Sequence, residues 1–181
     1  HADLLKDGNV EMRAAEIKRL AEQISKIGDK ARDITNVFDK DDDHIQTVPL
    51  KEIIDANIVA IESTYQDVTI TRDLPDDDIQ VDSVLDPVVF NTIENAAKHN
   101  TNDHPIVSCR AHNNGDKVRI DIADNGPGID EFERSVLDQG KETPLEHGSG
   151  LGLWLIKWGT EIADGQVTFR DNDPTGSVVS I

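Results

Sequence analysis

The sequence predicts an α+β fold: a two-layer α/β sandwich preceded by part of a helical hairpin. Two observations carry this. Apolar stripes at helical spacing recur in stretches distinct from those that alternate like strands. Turn-forming clusters at Asn113-Asn114-Gly115-Asp116 and Asn172-Asp173-Pro174-Thr175-Gly176 join late strands as hairpins. Helices segregated from a largely antiparallel sheet pack as two layers.

Residues 1–8 read as the tail of one helix, closed by the turn signal Lys6-Asp7-Gly8-Asn9. A long helix is expected from Val10 to Phe38. Its apolar positions Ile17, Leu20, Ile24, Ile27, Ala31, Ile34 and Phe38 step by threes and fours, a heptad seam that packs along another helix. Gly28 weakens it by up to ~1 kcal/mol. The stub before it is too short to cover the seam, so further upstream residues and a second subunit are both expected as partners. The charged run Asp39 to Gln46 (DKDDDHIQ) marks the boundary. The division is a partial hairpin over 1–40, a linker over 41–47 and the sandwich over 48–181.

Pro49 is expected to open a helix with Leu50, Ile53, Ile54, Ile58 and Ile61 on one side. Strands are expected at 68–72 and 79–81, around the Pro75-Asp76-Asp77-Asp78 turn. The helix Val88 to Asn100 shows two stripes. Val89, Ile93, Ala96 and Ala97 form its apolar face; Asn91, Glu94, Asn95 and Lys98 form a polar row that suits a single ligand better than open solvent. Strands follow at 106–112 and 117–124, and two more at 167–170 and 177–181 close the chain.

Composition sets limits. Lys and Arg total 18 against 36 Asp and Glu, a formal charge of −18. That excess disfavours nucleic acid and anionic lipid as partners and fits a strongly hydrated surface used in concentrated salt. The lone Cys109 excludes an intrachain disulfide and fits a reducing cytoplasm. No apolar run is long enough to cross a membrane, and no contact with one is expected.

Two glycine motifs carry chemistry. Ile120 and Ile122 set an inward register that Asp124 continues, and a carboxylate there needs a donor. Asp124-Asn125-Gly126-Pro127-Gly128 leaves backbone space beside it, into which a planar base with an exocyclic amine would fit. Farther on, His147-Gly148-Ser149-Gly150-Leu151-Gly152-Leu153 runs into an apolar helix. Glycines at alternate positions let backbone N–H groups converge on an anion. Neither G-K-[ST] nor G-x-G-x-x-G spacing is present.

The order N-x-x-E-N-A-x-K, D-x-G-x-G, G-x-G-x-G resembles the N, G1 and G2 boxes of sensor histidine kinases, of the ATPase superfamily shared with gyrase B, Hsp90 and MutL. The resemblance covers about residues 48–181, and residues 1–38 resemble the remainder of a dimerisation and phosphotransfer hairpin. The acidity and the run GKETPLEHGSGLGLWLIKW resemble kinases of salt-loving archaea.

The resemblance implies ATP and Mg²⁺ as cofactors. It makes Asn95 the metal ligand through its amide oxygen, with Asn91 nearby and Lys98 and His99 on phosphate. Glu94 is the implied general base. Asp124 would accept the adenine amino hydrogens, with Gly126, Gly128 and Ile129 around the base and Ser177 where relatives usually carry Thr. His147, Gly148, Ser149, Gly150, Leu151, Gly152 and Leu153 would line the phosphates, and residues 129–147 would form a lid containing Phe132, Arg134 and Lys141. A cytoplasmic homodimer and a response regulator's receiver domain are the implied partners.

The competing reading is an ATP-hydrolysing clamp of the gyrase, Hsp90 or MutL type. Such relatives place the water-activating Glu four residues before the metal Asn. Here that position is Asn91, and the carboxylate is Glu94, which favours phosphotransfer. None of the six histidines is followed by Glu or Asp, the family's acceptor pattern. The acceptor is therefore expected upstream of His1.

Overall fold

The computed structural model describes residues 46–115, 117–129 and 151–181, together with Lys18, which is helical and exposed. The expected hairpin seam, all of the charged run but Gln46, residues 130–147 of the lid and His147 to Gly150 lie outside the described residues.

The chain order is β1 (Thr47–Pro49), α1 (Leu50–Thr64), β2 (Thr69–Asp73), β3 (Gln80–Asp82), α2 (Leu85–Lys98), β4 (Ile106–Asn113), β5 (Val118–Asp124), α3 (Leu151–Ile162), β6 (Thr168–Asp171) and β7 (Ser177–Ser180). Five strands form one sheet in the order β2-β4-β5-β7-β6, and β1 pairs with β3 in a separate two-stranded ribbon. All pairs in the large sheet are antiparallel except β2–β4. The mixed α+β sandwich stands, with one parallel pair that local alternation does not encode.

α1 buries Leu50, Ile53, Ile54, Asn57, Ile58 and Ile61, an i, i+3, i+4 series. Each fully buried isoleucine contributes about 1.5–3 kcal/mol of transfer free energy. Pro49 stands just outside the helix rather than at its first position: its ψ of 124° is extended, and it pairs with Gln80. The Leu50 N–H then donates to the Ile79 carbonyl at 2.9 Å. Thr47, at the end of the expected linker, already belongs to β1.

α2 begins at Leu85, three residues earlier than its apolar stripe suggested, with the Asp82 carboxylate accepting the Val84 N–H at 2.8 Å. Pro87 is tolerated there because first-turn N–H groups have no partner within the helix. The helix faces two ways. Val89, Ile93 and Ala97 join the main core with α1 and the inner residues of β4 and β5. Val88 packs with Leu155, Ile156 and Val179 in a second cluster under α3.

Candidate nucleotide site

The site grows from the end of β5. Ile120, Ile122 and Asp124 share the inner face, as the alternation predicts, and Asp124 is only 8 % exposed. The β5–β7 register pairs Asp121 with Ser180 and Ala123 with Val178. Its next step brings Ser177 opposite Asp124. The Ser177 hydroxyl donates to Asp124 Oδ2 at 2.5 Å, and the Gly126 N–H donates to Oδ1 at 2.8 Å. The buried carboxylate is thus held by one hydroxyl and one peptide N–H. Each oxygen retains a further lone pair, which can accept an amino group.

The β6–β7 turn is pinned to the same residue. Asn172 Nδ2 donates to the Asp124 carbonyl at 2.7 Å. Gly176 has φ +107°, and a Cβ there would stand 2.0 Å from the Asp124 carbonyl oxygen. Only glycine allows this approach. The Asn172-Asp173-Pro174-Thr175-Gly176 cluster, expected from the sequence only as a hairpin turn, thus also carries this close approach. Gly128, at φ +87°, lies beside Gly176, where an added Cβ would be 3.5 Å from its carbonyl oxygen.

The polar row of α2 divides. Asn91 is 1 % exposed, and its Nδ2 donates to the Pro87 carbonyl at 2.8 Å. Thr92 likewise donates to the Val88 carbonyl at 2.7 Å. Both satisfy buried polar groups against their own helix. Glu94 and Asn95 are half-buried, and Lys98 and His99 are exposed at the helix end. Three of the four expected row members thus remain accessible, and Asn91 lies beneath them.

Tyr65, at the C-cap of α1, hydrogen-bonds the Glu94 side chain. Burial, reinforced by the Glu94 charge and that bond, raises the phenol above its ordinary value. Sequence reasoning missed this contact, which joins two helices. Gly152 is buried and Leu153 half-buried in the first turn of α3; Leu153 and Ile129 both pack against the second core cluster.

One carboxamide oxygen, at Asn95, suits a hard cation whose other ligands come from phosphate and water. Among the described residues no group of three or more His, Cys, Asp or Glu could hold a metal by itself. A different cluster lies across the sheet. Asp121, on the register of β5 opposite to Ile120, Ile122 and Asp124, is 7 % exposed; it accepts from Ser180 Oγ at 2.5 Å and stands 3.0 Å from Arg119 and 3.6 Å from Arg170. Arg119 lies on β5 itself, whereas His112, Ser180 and Arg170 come from β4, β7 and β6. Cys109, buried in the core, has its thiol pushed up to about 12 by burial.

Comparison with known proteins identifies the class to which this sandwich, with its buried carboxylate beside a half-polar helix, belongs. Residues 80–181 match the family described as histidine kinase-, DNA gyrase B-, and HSP90-like ATPase. The chain belongs to that family. Sensor histidine kinase DpiB of Escherichia coli (strain K12) is 35 % identical over 102 residues, covering 52 % of this chain and 18 % of that protein. Sensor histidine kinase CitA of Klebsiella pneumoniae is 33 % identical over 76 residues, 41 % of this chain and 14 % of that one. This chain thus spans less than a fifth of either relative. Among solved structures, Acinetobacter baumannii histidine kinase AdeS superposes with TM-score 0.69 at 17 % identity, over 88 % of this chain and 77 % of that one. The catalytic domain of histidine kinase ThkA gives 0.65 at 20 %, over 76 % and 93 %. The fold is that of histidine kinase catalytic domains.

Proposed function

We propose that this chain binds Mg·ATP and acts within a sensor histidine kinase, passing the γ-phosphoryl group to a histidine and thence to a response regulator aspartate. The observation that carries this is the Asp124 carboxylate, buried and held by Ser177 and Gly126 with acceptor capacity left over. It would accept the adenine amino hydrogens, with Gly126, Gly128 and Ile129 about the base. Asn95 would offer its amide oxygen to Mg²⁺, which supplies charge neutralisation at the phosphates when bound. Lys98 and His99 would meet the phosphates together with the 147–153 backbone. Glu94 would take the proton from the acceptor imidazole as its nitrogen bonds to the γ-phosphorus and the bond to the β-phosphate oxygen breaks.

The hydrolytic clamp remains the second reading, and the burial of Asn91 weighs against it. The position at which clamps carry a base holds a carboxamide turned onto its own helix, which cannot take a proton from water. Dimerisation through residues 1–38, cytoplasmic placement and an acidic surface suited to high salt complete the proposal. The test is γ-labelled ATP offered to the chain with and without an acceptor hairpin. Acid-labile, base-stable label on the hairpin supports phosphotransfer. Rapid multiple-turnover hydrolysis without an acceptor would favour the clamp.

A further inference from the structure

Asn125 stands where three segments meet. Its Oδ1 accepts Asn100 Nδ2 and the Ile106 N–H, both at 2.8 Å, and its Nδ2 donates to the His104 carbonyl at 2.9 Å. Its own carbonyl accepts from Asn102 Nδ2 at 3.3 Å and Thr175 Oγ1 at 3.4 Å. Two acceptances and one donation from a single planar group require a carboxamide. Asp could not donate, and Ala could do neither.

Gly126 gives an independent sign of the same junction. A Cβ there would stand 3.3 Å from both Cα and Cγ of Asn100, tighter than most real contacts. The first glycine of the motif therefore admits Asn100 as well as leaving space for a base. Asn100 follows Lys98 and His99 directly, and Asn125 follows Asp124. One hydrogen bond thus ties the exposed end of α2 to the residue beside the buried carboxylate.

We infer that Asn125 is a positioning residue, which holds the adenine end of the site at Asp124 in register with the phosphate end at Lys98 and His99. This rests on the nucleotide reading proposed above. A ligand that spans both ends gains both sets of contacts only if their separation is preset. A ligand that reaches one end is indifferent to the tie.

The test is titration of Asn125→Ala and Asn100→Ala with Mg·ATP and, separately, with adenosine. Asn125→Ala should weaken Mg·ATP by about tenfold, the equivalent of one buried hydrogen bond, and Asn100→Ala by a smaller factor. Adenosine should change by less than about twofold in both. If Asn125→Ala does not fold, Asn100→Ala, which leaves the Asn125 bonds to Ile106 and His104 intact, carries the test. Equal losses for both ligands would reduce Asn125 to a general structural role, and unchanged Mg·ATP affinity would remove the role altogether. Asp124→Asn separates the two layers. If it leaves adenosine binding intact, the nucleotide reading fails. If it abolishes binding while the Asn variants leave Mg·ATP untouched, only the positioning role fails.

Discussion

Ser177 and Asp124 lie 53 residues apart, yet their side chains meet at 2.5 Å because antiparallel β5 and β7 bring them opposite each other. The hydroxyl satisfies one buried carboxylate oxygen and fixes the direction of the other. Ser177→Ala should destabilise the chain by about 1–3 kcal/mol, since it leaves that oxygen without its donor. Ser177→Thr should restore most of the loss. Urea unfolding of the three proteins checks this, and equal midpoints would mean the bond contributes nothing.

Gly176 offers a sharper steric test. Ala there would force a Cβ against the Asp124 carbonyl at a backbone angle that only glycine adopts readily. Gly176→Ala should cost about 1–3 kcal/mol in backbone strain alone and displace Ser177 from Asp124. Thermal unfolding and nucleotide titration together report it. A variant with both properties intact would show that the turn can move aside.

Tyr65 is the single tyrosine, so its ionisation can be followed by tyrosinate absorbance. It should titrate above the ordinary phenol value of 10.0. Glu94→Gln should lower that midpoint by removing the neighbouring charge, leaving the larger effect of burial. A folded phenol that holds its proton more tightly adds stability that is complete below pH 10.0. That stability is lost as pH rises toward the folded value. A midpoint unmoved by Glu94→Gln would contradict the contact.

The net charge of −18 makes salt dependence a test of the surface. Self-repulsion between carboxylates is screened within a Debye length of about 3 Å at 1 M salt. Unfolding free energy should therefore rise from dilute to molar KCl. A flat or falling urea midpoint would mean the acidic surface is not tuned to salt.

Where structure repeats locally, the sequence was sufficient. The isoleucines of α1, the Val89–Ile93–Ala97 stripe of α2 and the alternation of β5 each declare an inner face through their own periodicity. Asp124 was legible because it continues a register already set by Ile120 and Ile122. What failed to show was non-local. β1 has three residues and exists only by pairing with β3. The parallel β2–β4 pair depends on chain direction, which alternation does not carry. Asn91 looked like a member of the polar row, but packing buried it and its own helix satisfied it. Asp121 lies on the outward register of β5, yet Arg119, Arg170 and Ser180 close over it. Partners on other strands decided β1, β2 and Asp121, and packing against other elements buried Asn91, whose bond is to its own helix.

Selection of adenine by Asp124 is measured by calorimetric titration of Mg·ATP and of GTP against the chain and its Asp124→Asn variant. The parent should bind ATP saturably and GTP little or not at all, and the variant should bind ATP at least about tenfold more weakly, because an amide cannot offer two acceptor oxygens. A parent that binds no ATP, or a variant that binds it as tightly as the parent, would rule out adenine recognition at Asp124.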